Sequence, residues 1–412
     1  MNNQGLLILG LLCGLAACMS FRWVKTDFSY TGMTITHMTH QARLNGKMYV
    51  AYEDKLSGLN RIIWKTISNE GDINIEAIVD ERNASRGFKG MATQVSDNAR
   101  HLLVAFYGCY NEPLLHDLEG AIKDCARVYF TESVDGGDRW STPIQVSESG
   151  IYISPASSIS LVLDEDTGRV YLFHEMKANE ITAYSQIVVY VREPNERSFK
   201  NTSALMNLQK LGPFTAFATR YSDGEIRYVH LIMTINGNIV HSRSGDKGRT
   251  WSIHKQITQT ITPYNSNYVI YDPEYNPAYF EVLYRRENDK KVYTILTDNH
   301  GNSFQSPTLV GDSPRPNQET IGVCASGNVG EYVAIVSHTD PDPKNIFVKV
   351  QIDDYPFTDL PNPFLNVRGA PIANLMIGCA SSGYREYYIT FYMLTRAETD
   401  RMYVAFGILN LS

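Results

Sequence analysis

From residue 36 to the end, short apolar or β-branched runs alternate with breaks rich in Gly, Asn, Asp and Ser. Runs such as His101 to Tyr107 and Ala126 to Phe130 have strand length, and none continues with helical period. One stretch predicts four strands in succession: Tyr268–Tyr271, Tyr279–Tyr284, Lys291–Leu296 and Ser306–Val310. Comparable sets fall in 36–80, 90–148, 155–208, 214–258, 265–310, 318–367 and 372–410. The last set shows three clear strands, Asn374–Ala380, Tyr387–Leu394 and Met402–Leu409, and Phe21–Thr31 is available as its fourth. A single all-β domain over 21–412 is expected, with an insertion at 108–125 whose Leu114–Lys123 is the one stretch of helical character.

Composition adds little to this picture. The 26 Tyr and 16 Phe suit strands, and a net charge of −7 argues against a general nucleic-acid binder. The N-terminus differs from the rest. Gly5–Ala17 is an apolar run ending in small residues, too short for the roughly 20 residues of a membrane span. It reads as a signal peptide over 1–17. Leu15-Ala16-Ala17-Cys18 also matches a bacterial lipobox, in which Cys18 would carry a lipid and tether the chain to a membrane surface. Secretion or display at the cell surface is therefore expected.

An internal repeat gives the strongest signal. Ser133-Val134-Asp135-Gly136-Gly137-Asp138-Arg139-Trp140, Ser244-Gly245-Asp246-Lys247-Gly248-Arg249-Thr250-Trp251 and Thr297-Asp298-Asn299-His300-Gly301-Asn302-Ser303-Phe304 share the form S/T-x-D/N-x-G-x-x-W/F. A short Asp or Asn side chain can hold nearby backbone N–H groups, Gly permits φ > 0, and the aromatic is expected to pack against its own hairpin. Trp251 and Phe304 are 304 − 251 = 53 residues apart, Phe199 lies 251 − 199 = 52 before Trp251, and Phe357 lies 357 − 304 = 53 beyond Phe304. Periods of this size mean repeated structural units. The motif resembles the Asp box of sialidases and related β-propellers. The resemblance implies a propeller of Asp-box repeats, with the box itself structural and away from the ligand face. Seven blades follow from the strand sets, while sialidases have six, and six remains the alternative.

Sialidases place three arginines, a Tyr nucleophile with a Glu partner and an Asp acid/base at the channel mouth; a guanidinium grips a carboxylate bidentately. Their first arginine lies in Arg-Ile-Pro, and no Arg-x-Pro occurs in Thr36–Gly46; Phe21-Arg22-Trp23-Val24 lacks the proline. The catalytic set is therefore unknown. The resemblance points to Arg315 and Arg368, 368 − 315 = 53 residues apart, and to Arg285, Glu319 and Tyr264. Arg220, Arg286, Glu53, Asp54, Glu175, Glu287 and Tyr107 are further candidates.

There is no P-loop, no G-x-G-x-x-G before a helix, no G-x-S-x-G elbow and no zinc-type histidine spacing, so no cofactor or metal is expected. Cys109 and Cys125 flank the insertion at neighbouring strand ends and are expected to bridge. Cys324 and Cys379 sit in matching stretches 379 − 324 = 55 apart, expected on inner strands of adjacent units as free thiols. Asn83, Asn201 and Asn410 open glycosylation sequons. The leading functional reading is an exported sialidase-like propeller that binds carbohydrate or protein at the cell surface, with an extracellular glycan or glycoprotein as the expected partner. An active exo-glycosidase and a structural scaffold are the alternatives, and the only membrane contact expected is through a lipid on Cys18.

Overall fold

The computed structural model describes residues 19–26, 38–42, 48–56, 59–67, 73–83, 90–96, 98–108, 127–147, 158–177, 184–220, 226–258, 268–270, 278–286, 291–312, 321–328, 331–339, 346–352, 358–360, 372–383, 386–395 and 401–411. Among these residues the strands form seven four-stranded antiparallel sheets. The first strand, β1 (Met19–Thr26), belongs to the last sheet. Then come β2–β5 (Met38–Ala42, Met48–Leu56, Leu59–Ile67, Ile73–Asn83) and β6–β9 (Met91–Val95, Leu102–Gly108, Arg127–Ser133, Ile144–Gln145). The next are β10–β13 (Ile159–Asp164, Arg169–Lys177, Tyr184–Arg192, Lys200–Gln209) and β14–β17 (Leu211–Arg220, Ile226–Ile235, Asn238–Ser244, Lys255–Thr258). Strands β18–β21 (Tyr268–Ile270, Phe280–Arg285, Lys291–Thr297, Thr308–Asp312) and β22–β25 (Ile321–Asn328, Glu331–Thr339, Ile346–Ile352, Thr358–Leu360) follow. The last sheet takes β26–β28 (Ile372–Gly383, Glu386–Thr395, Arg401–Leu411), and β1 pairs antiparallel with β28, Met19 opposite Leu411.

Six of the sheets are meanders of consecutive strands, and the seventh adds β1 to the meander β26–β28. The first strands neighbour one another: β2 lies beside β6 and β26, β10 beside β6 and β14, and β22 beside β18 and β26. Sheets set side by side around their first strands are the arrangement of a β-propeller. It explains why some strands do not alternate. All seven residues of β7, Leu-Leu-Val-Ala-Phe-Tyr-Gly, are buried, because a sheet packed between two others hides both faces. Leu103, Ala105 and Tyr107 pack with Leu161, Val170 and Leu172 of the following sheet, while Leu102, Val104 and Phe106 pack with Ile62 and Trp64 of the preceding one. Each such side chain contributes about 1.5–3 kcal/mol of burial, so the stability of the described core lies largely in these junctions.

At the neck of the insertion, Gly108 pairs with Arg127, whereas Cys109 and Cys125 lie outside the described residues. Cys324 pairs in register with Ile335 on β22 and Cys379 with Ile389 on β26, so both lie on first strands that neighbour each other. Cys18 is outside the described residues.

Candidate functional site

The three Ser/Thr-to-aromatic segments all connect a third strand to a fourth, and they close in the same way. The Ser133 hydroxyl donates to Asp135 Oδ1 at 2.8 Å and accepts from the Gly137 N–H at 2.9 Å, and Asp135 Oδ1 accepts from the Arg139 N–H at 3.0 Å. Ser244, Asp246 and Gly248 repeat this at 2.8 and 2.9 Å, with the Arg249 and Thr250 N–H groups on Asp246 at 3.1 and 2.8 Å. Thr297, Asn299 and Gly301 repeat it again at 3.0 and 3.1 Å, with the Ser303 N–H on Asn299 at 2.9 Å. Burial opposes ionisation of Asp246, but the Thr250 hydroxyl and N–H, the Ser244 hydroxyl and the Arg249 N–H outweigh it and hold the carboxyl below its usual range. Asp246→Ala should therefore lower stability by about 1 kcal/mol, typical of a surface hydrogen-bond acceptor. A urea titration of the purified chain measures this, and an unchanged midpoint would contradict it.

The aromatic at the end of each turn departs from expectation: it packs across to the preceding sheet as well as, or instead of, its own hairpin. Trp140 meets Trp64 with ring centroids 5.1 Å apart, and Trp251 meets Phe173 at 5.9 Å and donates its indole N–H to the Ser203 hydroxyl at 3.1 Å. Phe304 meets His241 of the preceding sheet at 5.7 Å and Phe280 of its own at 5.9 Å. Phe199, the degraded copy, meets Phe130 at 5.0 Å in the same manner. The turns thus work as clamps between sheets, since an aromatic there buries area on two of them.

In an antiparallel meander, the turn from second to third strand lies at the sheet end opposite the turn from third to fourth. Second strands therefore carry Glu53 and Asp54, Tyr107, Glu175, Arg285 and Arg286 toward the end away from the clamps. Arg220 ends a first strand, β14, and so lies at the clamp end; it does not join them. Arg315, Glu319, Arg368, Tyr264 and Glu287 lie outside the described residues, and Arg285 is placed by its backbone pairing with Val292.

At this end, β11 and β12 present the best-defined polar group. Glu175 is buried, its Oε1 accepting from the Ser185 hydroxyl at 2.7 Å with Lys177 Nζ at 3.7 Å. Its backbone N–H donates to the Ser158 carbonyl at 3.1 Å, and the Tyr107 hydroxyl donates to that carbonyl at 2.9 Å. The Tyr107 phenol is fully buried, and burial, reinforced by the Glu175 charge, pushes it well above its ordinary range. A nucleophilic phenolate is thereby disfavoured; Tyr107 is a hydrogen-bond donor tying two sheets together. Tyr184, which precedes Ser185 on β12 and projects to the opposite face of the sheet, is 51% exposed and is among the large exposed apolar side chains. On another sheet at this end, Arg286 donates to the Tyr293 hydroxyl and sits 4.2 Å from the Tyr293 ring centroid. Among the described residues at this end, the Glu175 carboxylate and the Ser185 hydroxyl are buried and bonded to each other, and Tyr184 presents an open aromatic face.

No family model and no curated protein matches the sequence. Among solved structures, a Dyadobacter fermentans protein of unknown function is similar over 95% of this chain and 99% of its own, at 11% identity and a TM-score of 0.55. The Hadza microbial sialidase Hz136 covers 86% of this chain and 76% of its own, at 12% identity and 0.48. The Aleuria aurantia fungal lectin, described as a six-bladed beta-propeller with a novel fucose recognition mode, covers 84% and 99%, at 13% and 0.46. At such identity the first of these shows a shared fold and nothing of function.

Proposed function

We propose that the chain is an exported, seven-bladed propeller of Asp-box repeats, closed by β1 pairing with β28, that binds an extracellular glycan or glycoprotein at the end away from its clamps. The pairing of Met19–Thr26 with Arg401–Leu411 supports the closure, and a six-bladed ring would leave one of the seven sheets over. Cleavage after Ala17 leaves β1 whole, since that strand begins at Met19. The observation that carries the binding reading is the half-exposed Tyr184 ring at the start of β12, at the end of its sheet away from the clamps. Aromatic faces stack on the apolar faces of sugars.

A glycan array probed with the mature chain should give binding that Tyr184→Ala lowers about tenfold, the loss of roughly 1.4 kcal/mol, with the melting temperature unchanged. An array blank for the wild type, or a Tyr184→Ala variant that binds fully, overturns this reading. The second reading is an exo-glycosidase using Arg315, Arg368, Arg285, Glu319 and Tyr264, and it rests on the Asp-box resemblance. Turnover of a fluorogenic sialoside that disappears in an Arg315→Ala, Arg368→Ala variant would favour it.

A further inference from the structure

At the clamp end, the junction between β14–β17 and β18–β21 encloses three histidines joined in one chain. His230 and His241 come from β15 and β16, and His300 from the turn after β20. All three are buried. Arg227 Nη1 lies 3.2 Å from His300 Nε2, His300 Nδ1 lies 3.0 Å from Thr219 Oγ1, Thr219 Oγ1 lies 2.7 Å from His230 Nε2, and His230 Nδ1 lies 2.9 Å from His241 Nε2.

The direction of every bond follows from one end. A guanidinium only donates. His300 Nε2 must therefore accept, so its Nδ1 carries the proton and donates to Thr219. The Thr219 hydroxyl then donates to His230 Nε2, and His230 Nδ1–H donates to His241 Nε2. Each imidazole is neutral with its proton on Nδ1, and each free lone pair is already taken by a donor. A second proton on any ring must enter at Nε2 and displace that donor.

The surroundings offer an imidazolium no compensation. Arg243 donates to the His300 carbonyl at 2.8 Å and to Asn302 Oδ1 at 2.6 Å, and Lys255 lies 5.8 Å from the Phe304 ring centroid. From β14, Phe217 stacks on His230 at 4.9 Å, and from β19, Phe280 packs against both His230 and His241. Glu281, the next residue on β19, instead takes the hydroxyls of Tyr279 and Thr294. Asp246, Asp298 and His254 occupy the adjoining turns and hairpin, Asp298 and His254 being exposed. Among the described residues the charges facing the three rings are thus the cations Arg227, Arg243 and Lys255.

We propose that this chain is an acid-released latch: it holds the two sheets together at neutral pH and lets their junction open when the surroundings acidify. Burial, followed for His230 by its histidine and arginine neighbours and for the other two by nearby cations, lowers the affinity of each ring for a proton; His241 falls to about 3 and His300 to about 4 from 6.5. The sign follows from linkage. A ring that is neutral when closed and ordinary when open binds protons preferentially in the open form below pH 6.5. The junction is therefore secure above that pH and loses stability as pH falls toward the closed-state values. From pH 7 to about pH 5, each released ring should raise the opening equilibrium about 25-fold. His174, also buried, is a single ring between Tyr107 of the preceding sheet and Tyr190 of its own, with Nδ1 3.1 Å from the Glu175 carbonyl oxygen.

Two measurements on the full chain test the latch. Histidine-selective 15N NMR at neutral pH should show three imidazoles protonated on Nδ1 and bare on Nε2; Nε2–H tautomers would overturn the chain. Hydrogen exchange, corrected for the intrinsic rate at each pH, should speed up in 228–232, 239–243 and 297–303 on going to about pH 5. Peptides from β12 and β13, whose junction is built on Trp251 and Phe173, should keep their protection. His230→Gln should cut the acid response about 25-fold. Equal protection of the latch peptides at both pH values, or simultaneous loss across all sheets, would overturn the proposal. The tautomer measurement needs only the wild type, so it decides even where the variant fails to fold.

Discussion

Replacing Glu132 with alanine is expected to lower the unfolding free energy by about 3 kcal/mol. Glu132 is the penultimate residue of β8, and Arg192 ends β12 on the next sheet. The guanidinium donates to both carboxylate oxygens, at 2.5 and 2.7 Å, and His101 Nε2 lies 2.7 Å from Oε2. Arg192 is 9% exposed and lies 4.9 Å from the Phe130 ring centroid and 5.7 Å from that of Phe199. Removing the carboxylate strands that cation between two rings. Burial opposes ionisation of Glu132, but the hydrogen bonds from His101 and Arg192, with their charges, outweigh it and bring the carboxyl from 4.5 to about 2. That difference corresponds to about 3 kcal/mol of linkage, a ceiling because 22% of the side chain meets solvent. Because the folded value is the lower one, this stability is present above pH 4.5 and lost as pH falls toward 2. Urea midpoints of wild type, Glu132→Ala and Arg192→Ala, with the double variant to close the cycle, measure the pair. A Glu132→Ala midpoint equal to wild type would show that the two sheets do not depend on it.

Much of the fold is legible in the sequence because the repeat is written in residues with narrow conformational options. Ser, Asp and Gly at fixed spacing leave one way to close a turn, so the three turns are predictable in detail. Strand sets follow from short apolar runs: the predicted Lys291–Leu296 is observed as Lys291–Thr297, and Tyr268–Tyr271 as Tyr268–Ile270. The aromatic partner is not legible in this way. Trp140 shows a bulky ring needing cover, but its partner Trp64 comes from 76 residues earlier (140 − 64), and local spacing carries no information on it.

The polar chemistry divides similarly. Sequence alone singles out Glu175 as one carboxylate among several, whereas its burial against Ser185 and Lys177 depends on how β11 and β12 end together. Arg220 and Arg286 read alike as arginines ending strands, yet strand order puts them at opposite ends of their sheets. The histidines look scattered, with 241 − 230 = 11 and 300 − 241 = 59 residues between the three that meet. Two lie near one another across β15 and β16, and the third arrives from the next repeat, so no single-chain spacing could reveal the group.

The last expected result joins the turn chemistry to that group. Gly301→Ala should destabilise the chain by about 3 kcal/mol or more, well beyond a typical surface change. Gly301 has φ +77°, where an L side chain alone costs about 1–2 kcal/mol. Its added methyl would lie 2.3 Å from His241 Cε1 and 2.9 Å from Nδ1. That ring cannot move aside cheaply: it is 3% exposed, stacks on His230 at 5.2 Å and meets Phe280 and Phe304 edges at 5.9 and 5.7 Å. Overpacking of this kind adds about 1–3 kcal/mol to the backbone cost. Gly168 separates the two contributions, since its φ is +74° but nothing lies within 4 Å of an added methyl. Gly168→Ala should therefore show the backbone cost alone, about 1 kcal/mol. Equilibrium unfolding of both variants checks the difference, and equal losses would mean that the His241 ring yields to the methyl and does not brace this junction.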